Sequence, residues 1–248
     1  MALYAFDGTW QYDNKNPDQD TNVVRFRDAY ACGDVFYLPG VGTRFGWLGH
    51  ILGAVTGMGG HRRVREALDA FRRNRIAGDC TVDVVGFSRG AALALHFANA
   101  LPEGTTVRFL GLFDTVPSFG IPGNNIDLGW NLGFPPAAQH CCHAMALNET
   151  RYNFPLHRLE PNPRLNEVWF RGVHSDVGGG NGNDGLSSIA LDWMFDAAHR
   201  SGVQLKTSKV IENRSRMDLA ATVSQVKLTS NLHRRAPQSG DCLHSSVK

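Results

Sequence analysis

Short apolar runs alternate along this chain with stretches of helical period. Residues 3–6 form an apolar run that stops at Asp7-Gly8-Thr9, which predicts a strand starting almost at the N-terminus. Residues 11–22 are polar and rich in Asn and Asp, and predict a loop. Residues 23–30 suit a short helix, and 34–38 a second strand closed by Pro39-Gly40-Val41-Gly42-Thr43. Over 61–76, Val64, Leu68 and Phe71 fall on one helical face with arginines opposite. Strand-like runs recur at 81–85, 107–113 and 167–173. Helical patterns recur at 91–101 and 188–200, the second with Ile189, Trp193 and Ala197 on one face. Residues 117–140 are rich in Gly, Pro and Asn and predict irregular structure, and the chain beyond 200 is polar and weakly patterned. Apolar strands alternating with helices predict an α/β fold, with a mostly parallel sheet covered by helices on both faces. No repeat and no linker interrupts the pattern, so residues 1–248 read as one domain, best supported over 3–200.

Chemistry in such sheets collects at the carboxyl ends of strands. Residues 81–92, TVDVVGFSRGAA, join a β-branched run directly to a G-x-S-x-G turn and then to a helix of small residues. That context makes the pattern a nucleophile turn, with the serine hydroxyl exposed on a sharp strand-to-helix bend. Positions two before and two after Ser88 must lack bulk, and Gly86 and Gly90 stand there. A serine alone is a poor nucleophile; it needs a base, and the base needs an orienting acid. In this chain order the acid and then the base follow the serine, each just past a strand. Asp114 follows the run at 107–113, and His174 follows the run at 167–173. Asp176 is the alternative acid and His244 the alternative base, though no good strand precedes His244. A developing oxyanion needs aimed N–H donors. The backbone N–H of Arg89 is one candidate, and the turn at Gly8 and Thr9 offers the second.

Composition narrows the field. The 248 residues, 42% hydrophobic and 19% charged, suffice for a sizeable core. A net charge of +2 gives no strong field for nucleic acid. No apolar run approaches the ~20 residues that span a bilayer, which leaves contact at the membrane surface open. The N-terminus lacks the basic and long apolar regions of a secretory signal, and five scattered cysteines do not suggest disulfides. A reducing, cytoplasmic setting is therefore expected. No metal and no cofactor is expected. His140-Cys141-Cys142-His143 has zinc-binding chemistry, but four successive residues do not comfortably close one tetrahedral site. Residues 53–60, GAVTGMGG, look like a phosphate loop without the required Lys-Ser/Thr. With Phe45, Trp47, Leu48, Ile51 and Leu52, the same segment suits an apolar flap over the site or a buried connection.

A set of motifs spread over residues 3–200 carries a resemblance. They are FDGTW, PGVGT at 39–43, AGDCTVDVVGFSRGAA, FLGLFDTV at 109–116, HAMALNETRYNF at 143–154, VWFRGVHSDVGGG at 168–180, and LSSIALDWM. The chain resembles the α/β-hydrolase domain of bacterial type VI secretion lipase effectors of the first phospholipase class. The resemblance implies a serine esterase or lipase acting on lipid or phospholipid acyl esters, with Ser88 as nucleophile, Asp114 as acid and His174 as base. It also implies delivery by type VI export, which uses no signal peptide. The family often has an aspartate where this chain has Asn148, and the larger effectors carry a separate membrane-binding region. Two other readings stay open on the residues alone: a non-catalytic binding module on the same fold, and an amide or peptide hydrolase. Acyl chain length, head group and oligomeric state are not fixed by these motifs.

Overall fold

The computed structural model describes residues 1–8, 19–40, 58–76, 78–118, 129–226 and 234–247. Within them the strands are β1 (Ala2–Phe6), β2 (Asp34–Leu38), β3 (Thr81–Phe87), β4 (Thr106–Phe113), β5 (Ala138–Ala146), β6 (Leu165–Phe170) and β7 (Cys242–Leu243). They form one sheet in the order β2-β1-β3-β4-β5-β6-β7, with every neighbouring pair parallel. The helices are α1 (Asn22–Ala29), α2 (Met58–Ile76), α3 (Arg89–Asn99), α4 (His174–Gly178), α5 (Asp184–Arg200) and α6 (Thr207–Arg216). An all-parallel sheet with helices on both faces is the architecture that the alternation predicts, and it agrees with the α/β-hydrolase fold that the resemblance implies.

The two-residue period of each strand sorts its side chains between two cores. Tyr4, Phe6, Val82, Val84, Leu110 and Leu112 pack under α2 and α3. Leu3, Ala5, Val85, Phe87, Phe109 and Phe113 pack under α1 and α5. Strands buried on both faces carry no polar stripe, which is why they read as continuous apolar runs. Helix α3 lies close to the sheet because its buried positions Ala91, Ala92, Ala94 and Ala98 are small. Helix α1 begins where the Thr21 hydroxyl accepts a hydrogen bond from the Val24 N–H at 3.2 Å, a cap that contributes about 1 kcal/mol.

Several expectations change: β6 ends at Phe170 ahead of the predicted 173, α5 starts at Asp184 ahead of 188, and α6 forms in the stretch that lacked a pattern. Helix α2 starts at Met58, ahead of the predicted 61. The irregular stretch predicted over 117–140 gives way at Ala138 to β5, a strand that apolar patterning passes over because two histidines interrupt it. His143 is buried there, with the Thr115 N–H donating to its Nε2 at 3.1 Å and Glu167 Oε1 at 3.0 Å from its Nδ1. Along a strand, successive residues face opposite ways. Cys141 joins the α2–α3 core and Cys142 the α1–α5 core, so residues 140–143 do not converge on one ion. No helix among the described residues is long and apolar enough to cross a membrane.

Candidate active site

The carboxyl ends of β3, β4 and β6 converge on one constellation. Strand β3 turns into α3 at Ser88, whose φ of 60° and ψ of −127° place a non-glycine residue in left-handed space. Such backbone strain costs on the order of 1–3 kcal/mol and persists only where surroundings enforce it. The enforcement is steric. A Cβ on Gly86 would lie 2.7 Å from the Gly90 carbonyl oxygen, and a Cβ on Gly90 would overlap the Phe6 carbonyl oxygen. Only glycine lets β1, β3 and α3 meet this closely. The bend is also tied to β4, since the Ser88 N–H donates to the Phe113 carbonyl at 3.0 Å.

Asp114 leaves β4 with a φ of 41°, the second strained residue at the site. Its Oδ2 lies 2.5 Å from His174 Nδ1, and His174 Nε2 lies 2.8 Å from Ser88 Oγ. Its Oδ1 accepts from the Ala146 N–H at 2.8 Å and from Arg235 Nη1 at 2.6 Å. The imidazole is wedged between rings, with the Phe87 centroid at 4.6 Å and the Phe154 centroid at 4.9 Å. Arg151 stacks on the outer side of Phe154 at 3.6 Å. Glu149 anchors the backbone: its Oε2 accepts from the His174 N–H at 3.2 Å and from Arg151 Nη2 at 2.7 Å.

Burial sets the electrostatics and charge partners correct it. Burial alone would raise the Asp114 carboxyl, but Arg235 and His174 outweigh it and hold the group well below the usual carboxylate range. Burial lowers the His174 imidazole; Asp114 opposes that, Arg235 adds to it, and Glu149 opposes it weakly. Glu149 is likewise held below its ordinary value, with burial overcome by its bonds to Arg151 and the His174 N–H. Burial pushes Asp7 up to about 6, against hydrogen bonds from Tyr37, Gly8 and Thr21.

Ser88, Asp114 and His174 are thus brought together, and Arg89 follows as the first residue of α3, where backbone N–H groups lack helical partners. The expectation of a free Gly8 donor needs correction. The Gly8 N–H donates to Asp7 Oδ1 at 2.7 Å, so its one proton is already engaged. Thr9, the whole apolar segment at 45–52 and the glycines at 53 and 57 lie outside the described residues. Asp176 does not touch the imidazole. Its carboxylate accepts from the Val173 and Ser224 N–H groups at 3.1 and 2.9 Å and from Asn181 and Asn183, and so braces the glycine loop. His244 stacks on Phe170 at 4.6 Å and pairs with Ser246, away from Ser88. Asn148 closes the ends of β5 and β6, its Oδ1 accepting from the Gly172 N–H at 2.7 Å. Sequence reasoning missed Glu149 and Arg235. The first lies within the NETRYNF motif; the second carries no local signal.

Fold and constellation together define an α/β-hydrolase-like protein with a serine at a strained strand-to-helix turn. The chain belongs to the family of type VI secretion Tle1-like phospholipase effector catalytic domains, whose model matches residues 3–104 and 93–197. No curated protein sequence matches it. Among solved structures, an uncharacterized protein from Pseudomonas aeruginosa is similar, with 21% identity and a TM-score of 0.55 over 90% of this chain and 48% of that one. The Tle1 effector bound to the VgrG spike of the type VI secretion system is also similar, with 25% identity and a TM-score of 0.51 over 72% of this chain and 50% of that one. The chain spans about half the length of these relatives.

Proposed function

We propose that this protein hydrolyses carboxylic esters of lipids, phospholipid acyl esters foremost, through Ser88, His174 and Asp114. The observation that carries this reading is the unbroken line from Asp114 Oδ2 to His174 Nδ1 at 2.5 Å and from His174 Nε2 to Ser88 Oγ at 2.8 Å. An imidazole that donates Nδ1–H to the carboxylate leaves Nε2 free to accept the serine proton. Ser88 Oγ then attacks the ester carbonyl, and its proton passes to Nε2. Asp114 stabilises the imidazolium, which returns the proton to the leaving alkoxide. Water, deprotonated by His174, attacks the acyl-enzyme and releases the acid. The Arg89 N–H supplies one oxyanion donor, and with the Gly8 N–H engaged the Thr9 N–H is the candidate for the second.

Arg89 supports an anionic substrate. Its side chain is partly buried, burial lowers its guanidinium to about 10, and it has no hydrogen-bond or ion-pair partner among the described residues. A partly buried cation with no such partner beside a nucleophile is best stabilised by a charge that arrives with the substrate. A phospholipid carries its phosphate a few bonds from the scissile ester, and a neutral glyceride does not. Membership of a phospholipase effector family supports the same choice. It also supports delivery by the type VI apparatus, to whose VgrG spike the similar Tle1 effector is bound.

The test is fatty-acid release from phospholipid vesicles, beside short- and long-chain p-nitrophenyl esters and matched amides, with Ser88→Ala as control. The expected result is Ser88-dependent ester turnover with the phospholipid preferred. Turnover on amides alone would replace the ester reading, and no Ser88-dependent turnover on any substrate would leave a binding module.

A further inference from the structure

The C-terminal segment brings one more side chain to the triad, and the reaction above gives it no task. The segment is firmly docked. Strand β7 pairs with β6, and the Asp241 carboxylate accepts from Arg158 Nη1 and Nη2 at 3.0 and 2.8 Å and from Trp169 Nε1 at 2.9 Å. His244 lies flat on Phe170. From that anchor the chain reaches back to Arg235, whose side chain is only 3% exposed. Its Nη1 donates to Asp114 Oδ1 at 2.6 Å and to the Ala146 carbonyl at 2.9 Å, and its Nη2 donates to the Phe154 carbonyl at 2.9 Å.

We propose that Arg235 is a positioning residue of the triad, which fixes the Asp114 carboxylate against the end of β5 and moderates the charge that His174 feels, so that Ser88 stays activated at lower pH than it otherwise would. The inference rests on the Ser88–His174–Asp114 reading. Its geometric half follows from the fork. A planar guanidinium can bridge one carboxylate and two carbonyls at once, and thereby fix the carboxylate plane; an ammonium, as a point charge, cannot hold all three in that plane. The Asp114 oxygens are then divided, Oδ1 to Arg235 and Ala146 and Oδ2 to His174. Its electrostatic half follows from sharing. A cation on one oxygen of a carboxylate weakens the pull of that carboxylate on a proton held at the other.

The charged groups around the imidazole come from several elements. They are Asp114 at the end of β4, Arg235 from the C-terminal segment, Glu149 with Arg151 after β5, and Asp176 on α4 itself, which is spent on the Val173 N–H. Arg89 follows Ser88 on α3. Of these, Asp114 and Glu149 favour the imidazolium and Arg235 opposes it. The base works as neutral imidazole, so activity falls as pH drops through its titration. Removing Arg235 frees Asp114 to hold the proton, and the acid limb must move to higher pH.

The experiment follows the His174 Cε1–H resonance against pH in histidine-labelled protein, assigned with His174→Gln, together with kcat and KM. Arg235→Gln should raise the His174 midpoint by about one unit, with the acid limb of kcat/KM moving alongside. Arg235→Lys keeps the charge and loses the fork. It should keep the midpoint near that of the wild type while kcat drops about tenfold at unchanged KM. An unmoved or lowered midpoint in Arg235→Gln overturns the proposal. So does a wild-type kcat in Arg235→Lys, which decides the matter if the Gln variant does not fold. The resonance needs no turnover. A raised midpoint without Ser88-dependent hydrolysis would therefore sink the hydrolase reading, and with it the positioning role, while the coupling of Arg235 to His174 through Asp114 would remain.

Discussion

The serine side and the aspartate side of this site are built by opposite means. The serine side is local. Strand β3, Ser88 and α3 are one continuous stretch, shaped mainly by sterics: Gly86 and Gly90 let three backbones meet, and one backbone hydrogen bond ties the bend to β4. The aspartate side is assembled from afar. Asp114, Ala146, Glu149, Phe154, His174 and Arg235 come from separate parts of the chain and are joined by hydrogen bonds and charge. On the proposed reading, the first kind of construction fixes where the nucleophile stands, and the second decides whether it is activated, and at what pH. The two sides therefore fail differently, one through the fold and the other through the protonation state of a single imidazole.

The sharpest way to break the comparison is Asp114→Asn. The amide keeps the shape but cannot hold Nδ1–H as a carboxylate does, and it leaves Arg235 buried opposite a neutral group. Loss of the correct tautomer should lower kcat by roughly 10⁴ with KM little changed. Steady-state kinetics on a soluble ester checks this, and a loss under tenfold would mean that another acid orients His174. Gly90→Ala attacks the serine side instead. Its Cβ meets the Phe6 carbonyl, which is backbone and cannot swing away. The variant should lose at least about 3 kcal/mol of stability, read from the shift in denaturant midpoint, before any chemical defect matters. Arg89→Met gives the smallest effect. It keeps the backbone N–H and removes the cation that has no partner among the described residues. Phospholipid turnover should fall about tenfold relative to a neutral p-nitrophenyl ester, the size of one lost charge-assisted contact. An equal fall on both substrates would make Arg89 a packing residue.

The same contrast explains what could be read from the residues alone. The apolar runs and the helical patterns reveal the sheet and its coverings because burial on both faces leaves a continuous signature. The nucleophile turn is legible because its steric demand falls on adjacent positions. Asp114 and His174 are legible through their places after strands, and Asp176 is separable from them only once its bonds to Val173, Asn181 and Ser224 are seen. Strand β5 hides because His143 is polar in isolation and becomes core only when Glu167 and the Thr115 N–H satisfy it. Arg235 hides more completely. It stands in a polar stretch with no period, and its place is set by β7 and by the Asp241–Arg158 pair, which are contacts across the fold.

The central claim is that Ser88 is an activated nucleophile, and the most direct measurement is covalent capture. The protein would be treated with a fluorophosphonate probe and the modified residue located by peptide mass mapping, with His174→Gln alongside. A single adduct on the peptide containing Ser88 is expected in the wild type, and strongly slowed labelling in the variant. No adduct on Ser88, or equal labelling without His174, would contradict the claim.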